Sequence, residues 1–180
     1  MKKYISILIT IILLCACSMS ITPSIKVSEY LNNFNSLNED VIEDMESAII
    51  EENMTTDNRS IYRDVLKRQY KDLKYDIVEE AIDGNNAVVK VKVTVYDLYN
   101  SKIESENYMN EHQDEFLNAD NIFDEISYMK YRLERMLDAK DTITHDISFN
   151  LTKINDEWVI DDIDRVTLEK IHGLYNYNLD

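Results

Sequence analysis

The chain predicts an α+β fold: N-terminal helices packed on a curved antiparallel sheet of about four strands, with a long helical insertion between two hairpins. Three observations carry this. Apolar residues recur at three-four spacing up to Leu73, the period switches to two over 75–99, and it returns to two over 142–164 after a helical stretch from about Ile103 to Lys140. Strands grouped in hairpins and segregated from helices belong to an α+β arrangement rather than an alternating one. With only two Gly and one Pro in 180 residues, the fold must use long elements and few tight turns.

Thr22-Pro23 reads as a helix start, with Thr22 as N-cap and Pro23 at the first position. Ile25, Tyr30, Leu31, Phe34 and Leu37 form its buried stripe. Asn38 caps a second helix bearing Val41, Ile42, Met45, Ala48 and Ile49. After a polar break at 53–58, a third helix carries Ile61, Tyr62, Val65, Leu66, Tyr70 and Leu73. Its Lys67, Arg68 and Lys71 sit where the helix dipole favours cations. Tyr75–Ile82 reads as a strand, Asp83-Gly84-Asn85-Asn86 as a turn, and Ala87–Tyr99 as the clearest strand, since Val89, Val91, Val93 and Val95 alternate with Lys90, Lys92 and Thr94.

In the insertion, Met109, His112 and Phe116 share a face, 118–121 interrupts, and Ile122 to Leu137 supplies a second stripe. Thr142–Ile154 alternates Ile143, His145, Ile147, Phe149 and Leu151 against polar residues. A tight turn at Asn155-Asp156 leads into a last strand, Glu157–Asp164, with Trp158 in the core. Such a sheet curls round the first helices and leaves room for a cavity. The domain is expected over 23–172, with 173–180 as a tail.

The start of the chain has a different character. Lys2 and Lys3 precede an apolar run from Ile5 to Leu14, followed by Cys15-Ala16-Cys17. A secretory leader needs a cationic start, an apolar run of about 7–15 residues and a small residue at the cut. A membrane span needs about 20 apolar residues, and this run stops at Ser18 and Ser20. Leu14-Cys15-Ala16-Cys17 resembles the bacterial lipoprotein box. That resemblance implies a leader over 1–16, acyl chains on Cys17 at the mature N-terminus, a short tether over 17–22, and a place on the extracytoplasmic face of a bacterial cell membrane. Cys15 and Cys17 are too close for an unstrained bridge, so the core alone must hold the mature chain.

Loss of the leader removes Lys2 and Lys3 but no acid, so 17 basic residues face 35 acidic ones, a charge of −18. Nucleic acid is excluded as a partner, since binding it requires a basic footprint. The charge favours cationic partners, within a screening length of about 8 Å.

Residues 82–94 (Ile-Asp-Gly-Asn-Asn-Ala-Val-Val-Lys-Val-Lys-Val-Thr) and 151–161 (Leu-Thr-Lys-Ile-Asn-Asp-Glu-Trp-Val-Ile-Asp), with the order of elements, resemble small Bacillota lipoproteins with a nuclear transport factor 2-like, cystatin-like domain. The resemblance spans most of 23–166. It implies a curved sheet over helices, in a superfamily of cavity enzymes, ligand binders and interaction domains. That lipoprotein group has no established activity, and fold analogy does not choose among such roles.

His145 is the most interesting polar residue, because alternation puts it on the apolar face. If Ile154 pairs with Glu157, continuation of the strand sets Asp162 and Asp164 on the same face, as an acid/base cluster requires. The plainer reading leaves His145 at the rim, hydrogen-bonded and inert. Asp161, Asp162 and Asp164 offer oxygen ligands but lack a calcium-loop pattern. No zinc spacing, Gly-rich phosphate loop or Gly-x-Ser-x-Gly occurs, and no metal or cofactor is expected. The sequence therefore predicts a lipid-anchored binding or interaction domain without catalysis, whose ligand is a small molecule or a cationic protein. The alternatives are a cavity enzyme using His145 with a carboxylate, and an envelope or immunity-type lipoprotein that captures cationic peptides.

Overall fold

The computed structural model describes residues 21–179; Cys17 and the expected leader lie outside them. Three helices come first: α1 (Pro23–Ser36), α2 (Glu39–Glu51) and α3 (Thr56–Asp72). Each begins at a side-chain cap that accepts an otherwise orphaned N–H. Thr22 Oγ1 takes the N–H of Ile25, Asn38 Oδ1 that of Val41, and Thr55 Oγ1 that of Asn58. The Ser24 N–H donates to Glu80 at 2.7 Å, pinning the start of α1 to the sheet.

The sheet is a four-stranded antiparallel meander in sequence order: β1 (Lys74–Asp83), β2 (Asn86–Tyr96), β3 (Thr142–Ile154) and β4 (Glu157–Ile160). β2 and β3 form its centre, with Val93 opposite His145, Val91 opposite Ile147 and Val89 opposite Phe149. These side chains share one face and are almost wholly buried. Helices α1 and α3, with the short α6 (Arg165–His172), lie against them. The inner face of the sheet is thus filled rather than hollow. The outer face is wet, with Lys90 paired to Glu79, Lys92 to Asp146, and Thr94 bonded to Thr144.

The insertion forms α4 (Leu98–Glu111), a 3-10 turn over Gln113–Phe116, and α5 (Glu125–Leu137). It starts earlier than the period suggested, because Asp97 accepts the Asn100 N–H at 2.8 Å and ends β2 at Tyr96. Leu98, Leu133, Met136 and Ala139 make a second core against Val65 of α3. Helix α3 therefore serves two cores, with Leu66 and Tyr70 facing the first and Val65 the second.

The last strand departs from expectation. Glu157 does pair with Ile154, but β4 stops at Ile160 instead of running to Asp164. The Asp164 carboxylate takes the Thr167 N–H at 2.6 Å and starts α6. An aspartate that can cap a helix competes with continued strand pairing. Trp158 is in the core, 8 % exposed. Beyond α6, 173–178 pack back on the domain: Tyr99 N–H donates to Gly173 O, and Tyr177 donates to Asp97.

Two glycines have left-handed backbone, Gly84 at φ 59° and Gly173 at φ 70°. They differ in their surroundings. A Cβ on Gly84 meets open space, whereas one on Gly173 falls 2.2 Å from Tyr96 O and 2.4 Å from Gln69 Nε2. Urea denaturation should therefore find Gly84→Ala destabilised by about 1 kcal/mol, the cost of left-handed backbone alone. Gly173→Ala should lose more than about 3 kcal/mol, in the range of buried-network disruptions. Equal losses would remove the packing argument.

Candidate functional site

A cavity of about 380 Å³ opens between α1, α2, α3 and α6. That is the size of a small-molecule pocket. Its walls follow from the stripes that build the helices. Tyr30 and Phe34 project from α1 one turn apart, Tyr62 and Tyr70 from α3 two turns apart, and Val41 and Met45 from α2. Leu168 and His172 close it from α6. The rings are interlocked edge to face: Tyr30 and Phe34 lie 5.4 Å apart, and Phe34 and Tyr70 5.1 Å. Such contacts fix the walls in place before any ligand arrives.

The polar groups are few. Asp40 and Asp44, one turn apart on α2, are exposed at the mouth. Burial, reinforced by the charge of Asp44, pushes the Tyr30 phenol up to about 12 and also raises that of Tyr70. His172 ends α6 with its ring 5.6 Å from that of Tyr70. Burial pushes its pKa down to about 4, against a small opposing pull from Glu169, so the imidazole is neutral at pH 7. Among the described residues, the hydroxyls of Tyr30, Tyr62 and Tyr70 and the His172 ring have no protein hydrogen-bond partner, and none of them is a sealed, unpartnered polar atom, so solvent or a ligand can reach them. Groups with hydrogen-bonding capacity in an apolar wall are what a bound molecule needs for orientation.

The candidates singled out from sequence sit elsewhere and apart. His145 is 7 % exposed on the inner face, edge-on to Tyr175 at 5.6 Å. Burial lowers its pKa, Lys170 lowers it further, and Asp97 pulls the other way. Asp162 is exposed beyond the end of β4, and Asp164 is engaged as the α6 cap. Neither acid is among the charges that move the pKa of His145. No group of three or more His, Cys, Asp or Glu among the described residues is arranged to hold a metal ion.

The cavity itself escaped the sequence reading. Each of its aromatics falls on a stripe expected to be buried. A signal was present: three tyrosines on stripes of helices that meet, each bringing a hydroxyl that a dry core does not want.

The fold and cavity together define an α+β domain with an aromatic pocket on its helical side. No family model, curated protein or solved structure matches the chain.

His172 gives the cavity a pH signature. Its folded pKa lies below the unfolded value of about 6.5, so the unfolded chain binds the proton more readily. Stability should be unaffected above about pH 6.5. It should fall as pH drops from there towards 4, with a slope of up to about 1.4 kcal/mol per pH unit from this group. His172→Leu should remove that part of the slope, and the His172 Hε1 resonance should titrate near pH 4. A resonance titrating near 6.5 would place the ring in open water.

Proposed function

We propose that the chain is a lipid-anchored, extracytoplasmic binding domain without catalysis, and that a small molecule occupies the cavity between α1, α2, α3 and α6. The observation that carries the binding part is the pocket itself: about 380 Å³, walled by four aromatic rings, with tyrosine hydroxyls and the carboxylates of Asp40 and Asp44 on its lining. The anchoring part rests on Leu14-Cys15-Ala16-Cys17 and the leader before it. Among the described residues no helix is long and apolar enough to cross a membrane. Kinship with the nuclear transport factor 2-like lipoproteins belongs to the same proposal. Its support is the order of three helices, a hairpin, a helical insertion and a second hairpin.

Two measurements test this. The intact mass of the full chain recovered from bacterial membranes should correspond to loss of residues 1–16 and gain of a diacylglyceryl group on Cys17, with Cys17→Ala neither cut nor lipidated. An unmodified product would overturn the anchor. For the cavity, 2-phenylethanol should shift the ring resonances of Tyr30 and Tyr70 with a Kd on the order of 1 mM, as befits a fragment of that size. Ala48→Trp, which fills the cavity from α2, should abolish the shifts. Shifts that persist in the filled variant, or that never occur, would overturn the pocket.

A further inference from the structure

The geometry points to an organic cation as the occupant of this cavity: an amine or quaternary ammonium group held at the mouth by Asp44 and Asp40, with an apolar body among Tyr30, Phe34, Tyr62 and Tyr70. This inference rests on the reading of the cavity as the binding site and adds the chemical class.

Three independent features favour a cation over a neutral or anionic ligand. The first is charge. Asp40 and Asp44 stand at the mouth, and no Lys or Arg lines the cavity. Neither aspartate makes an ion pair among the described residues, whereas Glu46, two residues beyond Asp44 on the same helix, is clamped by Arg63. Asp40 lies in the first turn of α2, where the helix dipole alone accounts for an acid. Asp44 is a turn further on and has no such explanation.

The second feature is the wall. Tyrosine and phenylalanine rings present a negative π face, which attracts a cation and gives an anion nothing. Four of them border a cleft that is open at its mouth and large enough for a ligand. The third is the polarity of the remaining groups. At neutral pH the His172 ring has one bare nitrogen that accepts a hydrogen bond, and the phenol oxygens of Tyr30 and Tyr70 accept as well. A protonated His172 would repel a cation, but burial keeps it neutral. The only charges on the lining are thus the two carboxylates, beside neutral phenols, an imidazole and the amides of Asn33 and Asn38 that can donate as well as accept, and the missing charge is positive. An anionic ligand would meet two carboxylates at the mouth with no compensating donor charge, a costly arrangement where solvent is partly excluded.

The test compares three probes of one shape: 2-phenylethylamine, 2-phenylethanol and 3-phenylpropionate, each titrated into the folded chain and followed by the Tyr30, Tyr70 and His172 resonances. The amine should bind at least about tenfold tighter than the alcohol, and the carboxylate more weakly than either. Asp44→Asn, at an exposed position that does not threaten folding, should weaken the amine about fivefold or more and leave the alcohol unchanged. Raising the salt should weaken the amine alone. Equal affinity for amine and alcohol, or tighter binding of the carboxylate, would overturn the cation while leaving the cavity as a binding site. If none of the three moves these resonances, the cavity reading falls together with the cation.

Discussion

The side-chain amide of Gln69 is the joint on which this domain turns. It is buried in α3 at 1 % exposure. Its Oε1 accepts the Tyr96 N–H at 3.1 Å, and its Nε2 reaches both Tyr96 O and Ile171 O at 3.4 Å. One side chain therefore ties the end of β2 and the end of α6 to the helix that both cores share. An amide at that depth costs about 1–3 kcal/mol if left unpaired, so the strand end and the α6 end must arrive together. Gly173 is pressed against the same amide, with no room for a side chain. The position of His172, one residue earlier, follows from this knot, and with it the α6 wall of the cavity.

Much of the architecture was legible because local and global signals agreed. Thr22-Pro23 and Asn38 announce helices, and the structure places caps at both. The valine row of β2 and the Ile147-Phe149-Leu151 row of β3 point to the core side as their period requires. The boundaries that were missed share one cause. Asp97 and Asp164 lie in runs that read as strand, yet each uses its carboxylate to cap a helix. Alternation reports which face a residue would occupy, but it is silent on where pairing stops.

The site was legible only in its parts. Periodicity identifies Tyr30, Phe34, Tyr62 and Tyr70 as inward-facing, yet a packed ring and a cavity-lining ring have the same spacing. The difference arises from how α2 and α6 sit on α1 and α3, which is set by contacts far apart in sequence such as Gln69 with Ile171. Asp44 looked like one more acid among many. Its significance depends on its place at the cavity mouth without an ion-pair partner among the described residues, and that is a property of the surface rather than of the sequence. His145 drew attention because it broke an apolar pattern; in the fold it fills a buried place at the edge of the inner face, beside Tyr175 and within reach of the charge of Lys170.

Helix α1 also acts as a spacer. Its first residue, Pro23, follows directly on the proposed tether, while the cavity lies towards its other end, at Tyr30 and Phe34 with Asp40 and Asp44 just beyond. A rise of about 1.5 Å per residue sets Phe34, the last residue of α1 on the cavity wall, roughly 17 Å along the helix from Pro23. On the proposed anchorage, acyl chains at Cys17 hold Pro23 near the headgroups. An α1 that stands upright then lifts the opening clear of the lipid. On that proposal, the cavity would take its occupant from the aqueous side instead of from the bilayer.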